Sequence, residues 1–376
     1  MKVLMVTPYY PPHIGGLELY VMKLSEYLIK RGIEVEVFTS QIPSGNYSSS
    51  KPIRVHRFKP IATPLKNPIT LGMIFKINYM QQFDIIHAHV DQAFSTNIAI
   101  LSKKYHKRPV IVHCHGLYYP ESILGNIAYS VYYRTIGKWC IKKAEAIITL
   151  SKRDYDFMIQ LGARQKYVRI IPNAIDPIDY RTETKVEDFL RQYGIEDKRV
   201  ILYVGALIVR KGVHVLLKAL PNVFEEFRNA ILLVIGEGDQ KISLINMAKS
   251  LGIADRTLFL GTVDRETLFK AFKAAEIVVL PSFLEGMPTV ILEALVFGKP
   301  VVATSIPGVV DYFRNATILV PPGNPMELSK AIRILLNDRL LREKLASKGK
   351  ELVNKFTFGS IANRIIDLYE ELTHKN

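Results

Sequence analysis

Cysteine is almost absent from this chain: Cys114 and Cys140 are the only two. Two thiols cannot build a disulfide framework, and no CxxC pair offers a zinc knuckle. A reducing, cytoplasmic setting is therefore expected. Long apolar runs are also missing. No stretch of about 18 uncharged apolar residues occurs, which excludes a bilayer-spanning helix and leaves only a peripheral way of meeting a membrane. The apolar start, residues 2–6 before Pro8, reads as a buried first strand and not as a secretion signal. Internal repeats and low-complexity tracts are lacking, Ser48-Ser49-Ser50 being only a loop.

What is present describes an ordinary globular protein. At 376 residues the chain is too long for one compact domain. Its composition, 48% apolar and 23% charged with 22 Gly and 20 Pro, excludes disorder, collagen and coiled coil. The net charge is +15 and uneven: residues 1–190 carry 25 basic and 15 acidic groups, residues 191–376 carry 25 and 20. The first half faces something anionic or is solvated by lysines. Nucleic acid is not the expected partner, because no recognition motif is present and the charge is spread, not striped.

Short β-branched runs alternate with helical patterns. Strands are expected at 2–6, 35–38, 53–58, 84–90, 110–115 and 146–150, with helices near 17–31, 93–104, 122–143 and 152–161. The turn-rich segment Ile171-Pro172-Asn173-Ala174-Ile175-Asp176-Pro177 reads as a junction. The rhythm then restarts, with strands at 200–204, 230–235, 257–260, 277–280, 300–304 and 317–320. Helices follow near 212–227, 240–251, 265–274, 289–297 and 326–346, the last opened by Asn324 as N-cap, Pro325 and Glu327. This βαβ rhythm predicts an α/β protein of two doubly wound, Rossmann-like domains. Such sheets bind ligands beyond the carboxyl ends of their strands, so two facing domains would form a cleft.

Four motifs carry chemistry. Pro281-Ser282-Phe283-Leu284-Glu285-Gly286-Met287-Pro288-Thr289-Val290 runs from a strand into a helix, and Glu293 lies about one turn inside it. Amides at that helix start suit an anion, and Glu285 and Glu293 suit hydroxyl donors such as a sugar or ribose. Tyr203-Val204-Gly205-Ala206-Leu207-Ile208-Val209-Arg210-Lys211-Gly212 follows another strand; a Gly turn and a Lys at a helix start grip a diphosphate. Tyr9-Tyr10-Pro11-Pro12-His13-Ile14-Gly15-Gly16-Leu17-Glu18 offers a further amide cradle. His87-Ala88-His89 and His113-Cys114-His115 stand at strand ends, where alternate residues share a face and each pair could reach zinc. No Cys pair or HExxH supports a metal, and none is expected.

The chain resembles the retaining nucleotide-sugar glycosyltransferases of family 4, with the GT-B fold. The E-x7-E spacing of Glu285 and Glu293, the flanking Pro281-Ser282 and the following Gly298-Lys299-Pro300-Val301-Val302-Ala303-Thr304 carry the likeness. It implies that Glu285 addresses the donor sugar and Glu293 the nucleotide ribose, with Gly286, Met287, Pro288 and Thr289 also lining the donor site. Lys211 would hold the donor diphosphate. Where the family usually has Arg, this chain has Ala206; Arg210 is the candidate replacement, although adjacent residues at a helix start point apart. Gly205, Gly238 in Gly236-Glu237-Gly238-Asp239, and Val263 in Leu260-Gly261-Thr262-Val263 would complete the donor loops. Gly15 and Gly16 would approach the donor phosphates, and His115 the transferred sugar. Asp154-Tyr155-Asp156 has the DxD form of metal-dependent GT-A enzymes but falls in a helix, where residues two apart do not share a face.

The implied organisation is an acceptor domain over 1–180, a nucleotide-sugar domain over 181–356, and a C-terminal helix within 357–376 crossing back to the first. No cofactor is expected beyond the nucleotide-diphosphate sugar, which is the donor substrate. The expected acceptor is a sugar or glycolipid. Tyr132, Tyr133, Arg134, Lys138, Trp139, Lys142 and Lys143, with Lys103, Lys104, Lys107 and Arg108, make an anionic membrane surface a candidate partner. Ala206 keeps a second reading open, a GT-B protein that is a UDP-sugar epimerase or an inactive sugar-nucleotide binder.

Overall fold

The computed structural model describes residues 1–13, 15–45, 53–117, 123–181 and 185–374. The loop Ser48-Ser49-Ser50 and Ile14 of the Gly-Gly segment lie outside the described residues. The chain folds into two compact units, Met1–Ala174 with Phe358–Asn376, and Ile175–Thr357.

The first unit is a seven-stranded parallel sheet of order β3-β2-β1-β4-β5-β6-β7. Its strands are β1 (Lys2–Val6), β2 (Glu34–Ser40), β3 (Arg54–Phe58), β4 (Ile85–His89), β5 (Val110–His113), β6 (Ala146–Thr149) and β7 (Val168–Ile170). Val3, Leu4, Met5 and Val6 are all fully buried, so β1 reads as an unbroken apolar run because both faces are covered. Val3 and Met5 join one core, Leu4 and Val6 the other. The helices are α1 (Gly16–Lys30), α2 (Phe94–Leu101), α3 (Lys103–His106), α4 (Ile123–Arg134), α5 (Ile136–Lys143) and α6 (Lys152–Gln160). The single helix expected over 93–104 is thus two, and so is the one over 122–143, which breaks at Thr135 where the backbone leaves the helical region (φ −122°, ψ −106°). Strand β7 was not expected; three residues are too few to carry an alternation signal.

The second unit is a six-stranded sheet of order β10-β9-β8-β11-β12-β13, parallel throughout. It comprises β8 (Arg199–Val204), β9 (Ala230–Ile235), β10 (Thr257–Gly261), β11 (Ala275–Leu280), β12 (Val301–Thr304) and β13 (Thr317–Val320). Its helices are α7 (Glu187–Tyr193), α8 (Val213–Glu226), α9 (Lys241–Ser250), α10 (Arg265–Ala274), α11 (Thr289–Val296), α12 (Pro307–Phe313), α13 (Pro325–Asn337) and α14 (Arg339–Val353). Asn324 caps α13, accepting from the amides of Met326 and Glu327, each at 3.1 Å. Helices α7 and α12, seven residues each, were not expected; both are shorter than two full periods.

The chain then re-enters the first unit as α15 (Phe358–Thr373). Phe358, Ile361, Ala362, Ile365, Leu368, Tyr369 and Leu372 form one buried stripe at helical spacing. The stripe packs on α1, where Phe358 meets the rings of Tyr20 and Tyr27. In each sheet the strand order reverses once, between β1 and β4 and between β8 and β11. The loops leaving those strands flank the crevice where doubly wound sheets receive ligands.

Candidate active site

In the second unit, β8 leads through Gly205 into a single 3-10 turn, Val209–Lys211. Gly212 follows in the left-handed region (φ 69°), and a Cβ there would lie 2.1 Å from the Pro281 carbonyl oxygen. Only glycine lets the loop after β8 touch the loop after β11 this closely. The Phe283 amide donates to the Arg210 carbonyl at 2.9 Å, locking the two loops together.

That contact gathers the side chains singled out by sequence. Lys211 Nζ lies 2.7 Å from Glu285 Oε1, and Ser282 Oγ donates to the same oxygen at 2.7 Å. Arg210 Nη1 is 3.7 Å from Glu285 Oε2 and donates to the Leu284 carbonyl at 2.8 Å. Arg210 and Lys211 therefore converge on one carboxylate. The expectation that they point apart is corrected: they sit on an isolated 3-10 turn pinned to the facing loop, not on the first turn of α8. The Glu285 side chain is only 9% exposed and that of Lys211 18%. Such a covered, charge-assisted pair holds its geometry more firmly than a surface ion pair.

Beyond Glu285 the chain passes Gly286, buried Met287 and buried Pro288 into α11. The N-cap residue of α11, Pro288, gives its first amides no side-chain hydrogen bond, and Thr289 is exposed. These amides and the helix dipole suit an anion, and they begin four residues after Glu285, the partner of the Lys211 ammonium. Glu293, one turn further, accepts from Tyr180 Oη at 3.1 Å. Burial pushes its carboxyl up to about 7, against the pull of the Tyr180 hydrogen bond and the nearby Arg265. The Arg265 guanidinium lies 5.6 Å from the Tyr180 ring centre, over its face. Neither Tyr180 nor Arg265 is marked in the sequence, since no local spacing links Tyr180 to a residue 113 positions away.

Gly205, Gly238 and Val263 sit at the carboxyl ends of β8, β9 and β10. The Gly205 amide donates to the Ile235 carbonyl at 2.9 Å and the Leu207 amide to the Glu237 carbonyl at 2.8 Å, joining the first two loops. A Cβ on Gly238 would fall 2.4 Å from the Leu207 carbonyl oxygen, so this turn also requires glycine. Val263 precedes Asp264, whose carboxylate caps α10 by accepting from Thr267 N at 2.7 Å. Ala206 is exposed, and its carbonyl accepts from Tyr203 Oη at 2.9 Å.

In the first unit, Gly15 and Gly16 open α1 at the switch point. The buried carboxylate of Glu18 folds back over Gly15, with His13 Nδ1 at 2.7 Å from its Oε1. Glu18 ends the Tyr9–Glu18 segment, and no local spacing marks its return to the helix start. At the ends of β4 and β5 four imidazoles stack. His89 Nδ1 is 2.9 Å from His115 Nε2, His87 Nε2 is 3.2 Å from His113 Nδ1, and His87 Nδ1 is 2.5 Å from Tyr369 Oη of α15. Burial lowers all four pKa values, those of His87 and His115 to about 3, so the rings are neutral. Nitrogens of His87, His89 and His113 lie within 4.8 Å of one another. A tetrahedral zinc with nitrogens at 2.0–2.1 Å needs them roughly 3.4 Å apart; as placed, His87 and His113 meet at 3.2 Å in a hydrogen bond. Asp154 and Asp156 diverge: Asp154 is buried, while Asp156 is exposed and pairs with Lys152.

The two sheets and their loops define a GT-B fold. The structure is similar to HepE of Anabaena solved in complex with UDP, with a TM-score of 0.80 at 22% identity, covering 99% of this chain and 100% of that one. Sequence comparison narrows the class. Residues 14–178 match the family described as Glycosyltransferase Family 4, and residues 185–352 that described as Glycosyl transferases group 1. An uncharacterized glycosyltransferase of Methanocaldococcus jannaschii is 29% identical, covering 98% of each chain. A phosphatidyl-myo-inositol mannosyltransferase of Mycobacterium leprae is 26% identical, covering 98% of this chain and 96% of that one. The chain belongs to the group 1 glycosyltransferases and is a glycosyltransferase of GT-B fold.

Proposed function

We propose that the protein transfers a sugar from a nucleotide-diphosphate sugar to an acceptor hydroxyl with retention, in cell-envelope polysaccharide, glycolipid or glycan synthesis at the cytoplasmic side. The observation that carries this reading is the meeting of Lys211, Ser282 and Glu285, with Glu285 four residues before the start of α11. Lys211 and the α11 amides suit the donor diphosphate, Glu285 the sugar hydroxyls and Glu293 the ribose. Gly205, Gly238 and Val263 border the same strand ends. For the first unit the assigned roles are amide donation to phosphate by Gly15 and Gly16, and hydrogen bonding of a sugar hydroxyl by the neutral His115.

The step is a front-face displacement. The bond from the anomeric carbon to the diphosphate oxygen breaks, the acceptor oxygen bonds to the same face, and the acceptor proton passes to the departing diphosphate. Catalysis then consists of stabilising negative charge on the leaving group, which an ammonium and a helix start are suited to do. Glu285→Ala and Lys211→Ala are each expected to lower turnover by about a hundredfold or more, measured as nucleotide diphosphate release with donor and mixed acceptors. Turnover within about threefold of wild type in either variant would retire that residue's role. Exposed Ala206, standing where the family pattern has Arg, favours a second reading as an epimerase or inactive sugar-nucleotide binder. Donor binding without diphosphate release would select it.

A further inference from the structure

Residues 37–144 hold most of the positive charge. Fourteen Lys and Arg stand there against Asp84, Asp91 and Glu121, a net +11 of the chain's +15. Asp91 is moreover buried. Three stretches, 61–81, 94–108 and 123–143, contain no Asp or Glu at all. Hydrogen bonds join them into one surface. Asn67 Nδ2 donates to the Gln92 carbonyl and the Phe94 amide to Asn67 Oδ1, both at 3.0 Å. Gln92 Nε2 donates to Tyr133 Oη at 3.0 Å, and Tyr132 Oη to Asn97 Oδ1 at 2.8 Å. Lys103 Nζ donates to the Lys143 carbonyl at 3.1 Å, tying α3 to the end of α5.

Within this surface α4 is inverted relative to a helix that serves only to cover a sheet. Gly125 and Tyr133 face inward, while Ile123 and Leu124 are each 80% exposed, Ile127 56% and Val131 54%. Their spacing of one, four and eight residues places them on a single outer face. Phe75, in the neighbouring acid-free stretch, is 87% exposed. Beside the ridge, α5 presents exposed Lys138 and Lys142 on either side of exposed Trp139, whose ring lies 6.0 Å from Lys143 Nζ. The tyrosines and lysines read from sequence as one basic, aromatic-edged helix are therefore sorted: the tyrosines anchor α4 inward, and aliphatic side chains face out.

We propose that this face of the first unit docks on an anionic lipid bilayer, with the α4 ridge entering the headgroup boundary and the exposed Lys104 of α3 and Lys138 and Lys142 of α5 held over lipid phosphates, while Lys103 stays paired with Glu145. An exposed apolar ridge framed by charge of one sign matches an anionic interface, where aliphatic and aromatic groups sink and lysines stay with phosphate. The inference rests on the reading of a glycolipid acceptor, which such docking would bring within reach.

The test is flotation of the full-length protein with vesicles of phosphatidylcholine alone or with about 30% phosphatidylglycerol, at about 50 mM and about 500 mM salt. Expected is capture by the anionic vesicles at low salt, at least about tenfold above neutral ones. The exposed double variant Ile127→Asp/Val131→Asp should lower capture at least about tenfold with an unchanged melting temperature, and Lys138→Gln/Lys142→Gln should lower it chiefly at low salt. Absence of capture by anionic vesicles, or capture indifferent to the paired aspartates, overturns the proposal. So does a wild-type dimer that Ile127→Asp dissociates in the absence of vesicle binding, which would give the ridge to a second copy. Diphosphate release is read in parallel. Docking without turnover on any lipid acceptor leaves the docking standing and removes the glycolipid reading. Turnover on lipid acceptors without docking does the reverse.

Discussion

The ion pair of Lys211 and Glu285 depends on a residue that takes no part in it. Gly212 allows two loops to meet where any Cβ would strike the Pro281 carbonyl. Gly212→Ala is expected to lose about 1–3 kcal/mol in urea unfolding, from left-handed strain and from the displaced loop. Nucleotide binding should fall with it, because the Phe283 amide no longer holds Arg210 in register. Glu293 supplies a pH signature. Its folded pKa near 7 is above the ordinary 4.5, so the native state holds the proton more tightly than the unfolded chain does. The contribution is complete below 4.5 and is lost as the pH rises through about 7. Comparing melting temperatures from pH 5 to 8 with those of Glu293→Gln checks this. The wild-type advantage should shrink as the pH rises, and an advantage that grew instead would exclude the assignment.

Among the elements, α15 shows how much one amphipathic stripe contributes. Ile365 is fully buried against the first unit's core. Ile365→Ala should cost about 2–5 kcal/mol, followed by the fluorescence of Trp139, the chain's single tryptophan, which lies in that unit. The helical period of 358–372 and the apolar runs of β1, β8 and β9 made these elements readable from sequence. So did the E-x7-E spacing and the Gly205-to-Lys211 turn, because each is a local pattern whose geometry follows from one strand-to-helix turn. What sequence could not give was convergence over distance. Tyr180 on Glu293, Ser282 on Lys211's partner, and Tyr369 on His87 are contacts made by topology. The split of 122–143 at Thr135 was hidden because nothing in the side-chain pattern marks a single residue leaving helical geometry. The same split decides which face of α4 is apolar and outward.

Across the whole molecule, charge and chemistry are segregated. The acid-poor surface belongs to the first unit, while the Lys211–Glu285 cluster belongs to the second. Hydrogen exchange in the presence of UDP, GDP or ADP should therefore protect 205–212 and 282–290 and leave the α4 ridge unchanged. At a ligand concentration about a hundredfold above Kd the binding unit gains about 2.7 kcal/mol, enough to slow its amides visibly. Protection confined to 123–143 would place the nucleotide elsewhere. The order of the units along the chain has a consequence for biosynthesis. The ribosome completes all of Ile175–Thr357 before α15 exists. Until then α1 carries Tyr20, Tyr27 and the rest of its α15-facing surface bare. The first unit to be made is thus the last to be sealed, and a nascent chain stalled near residue 357 would be a client for holdase chaperones even with its second unit fully formed.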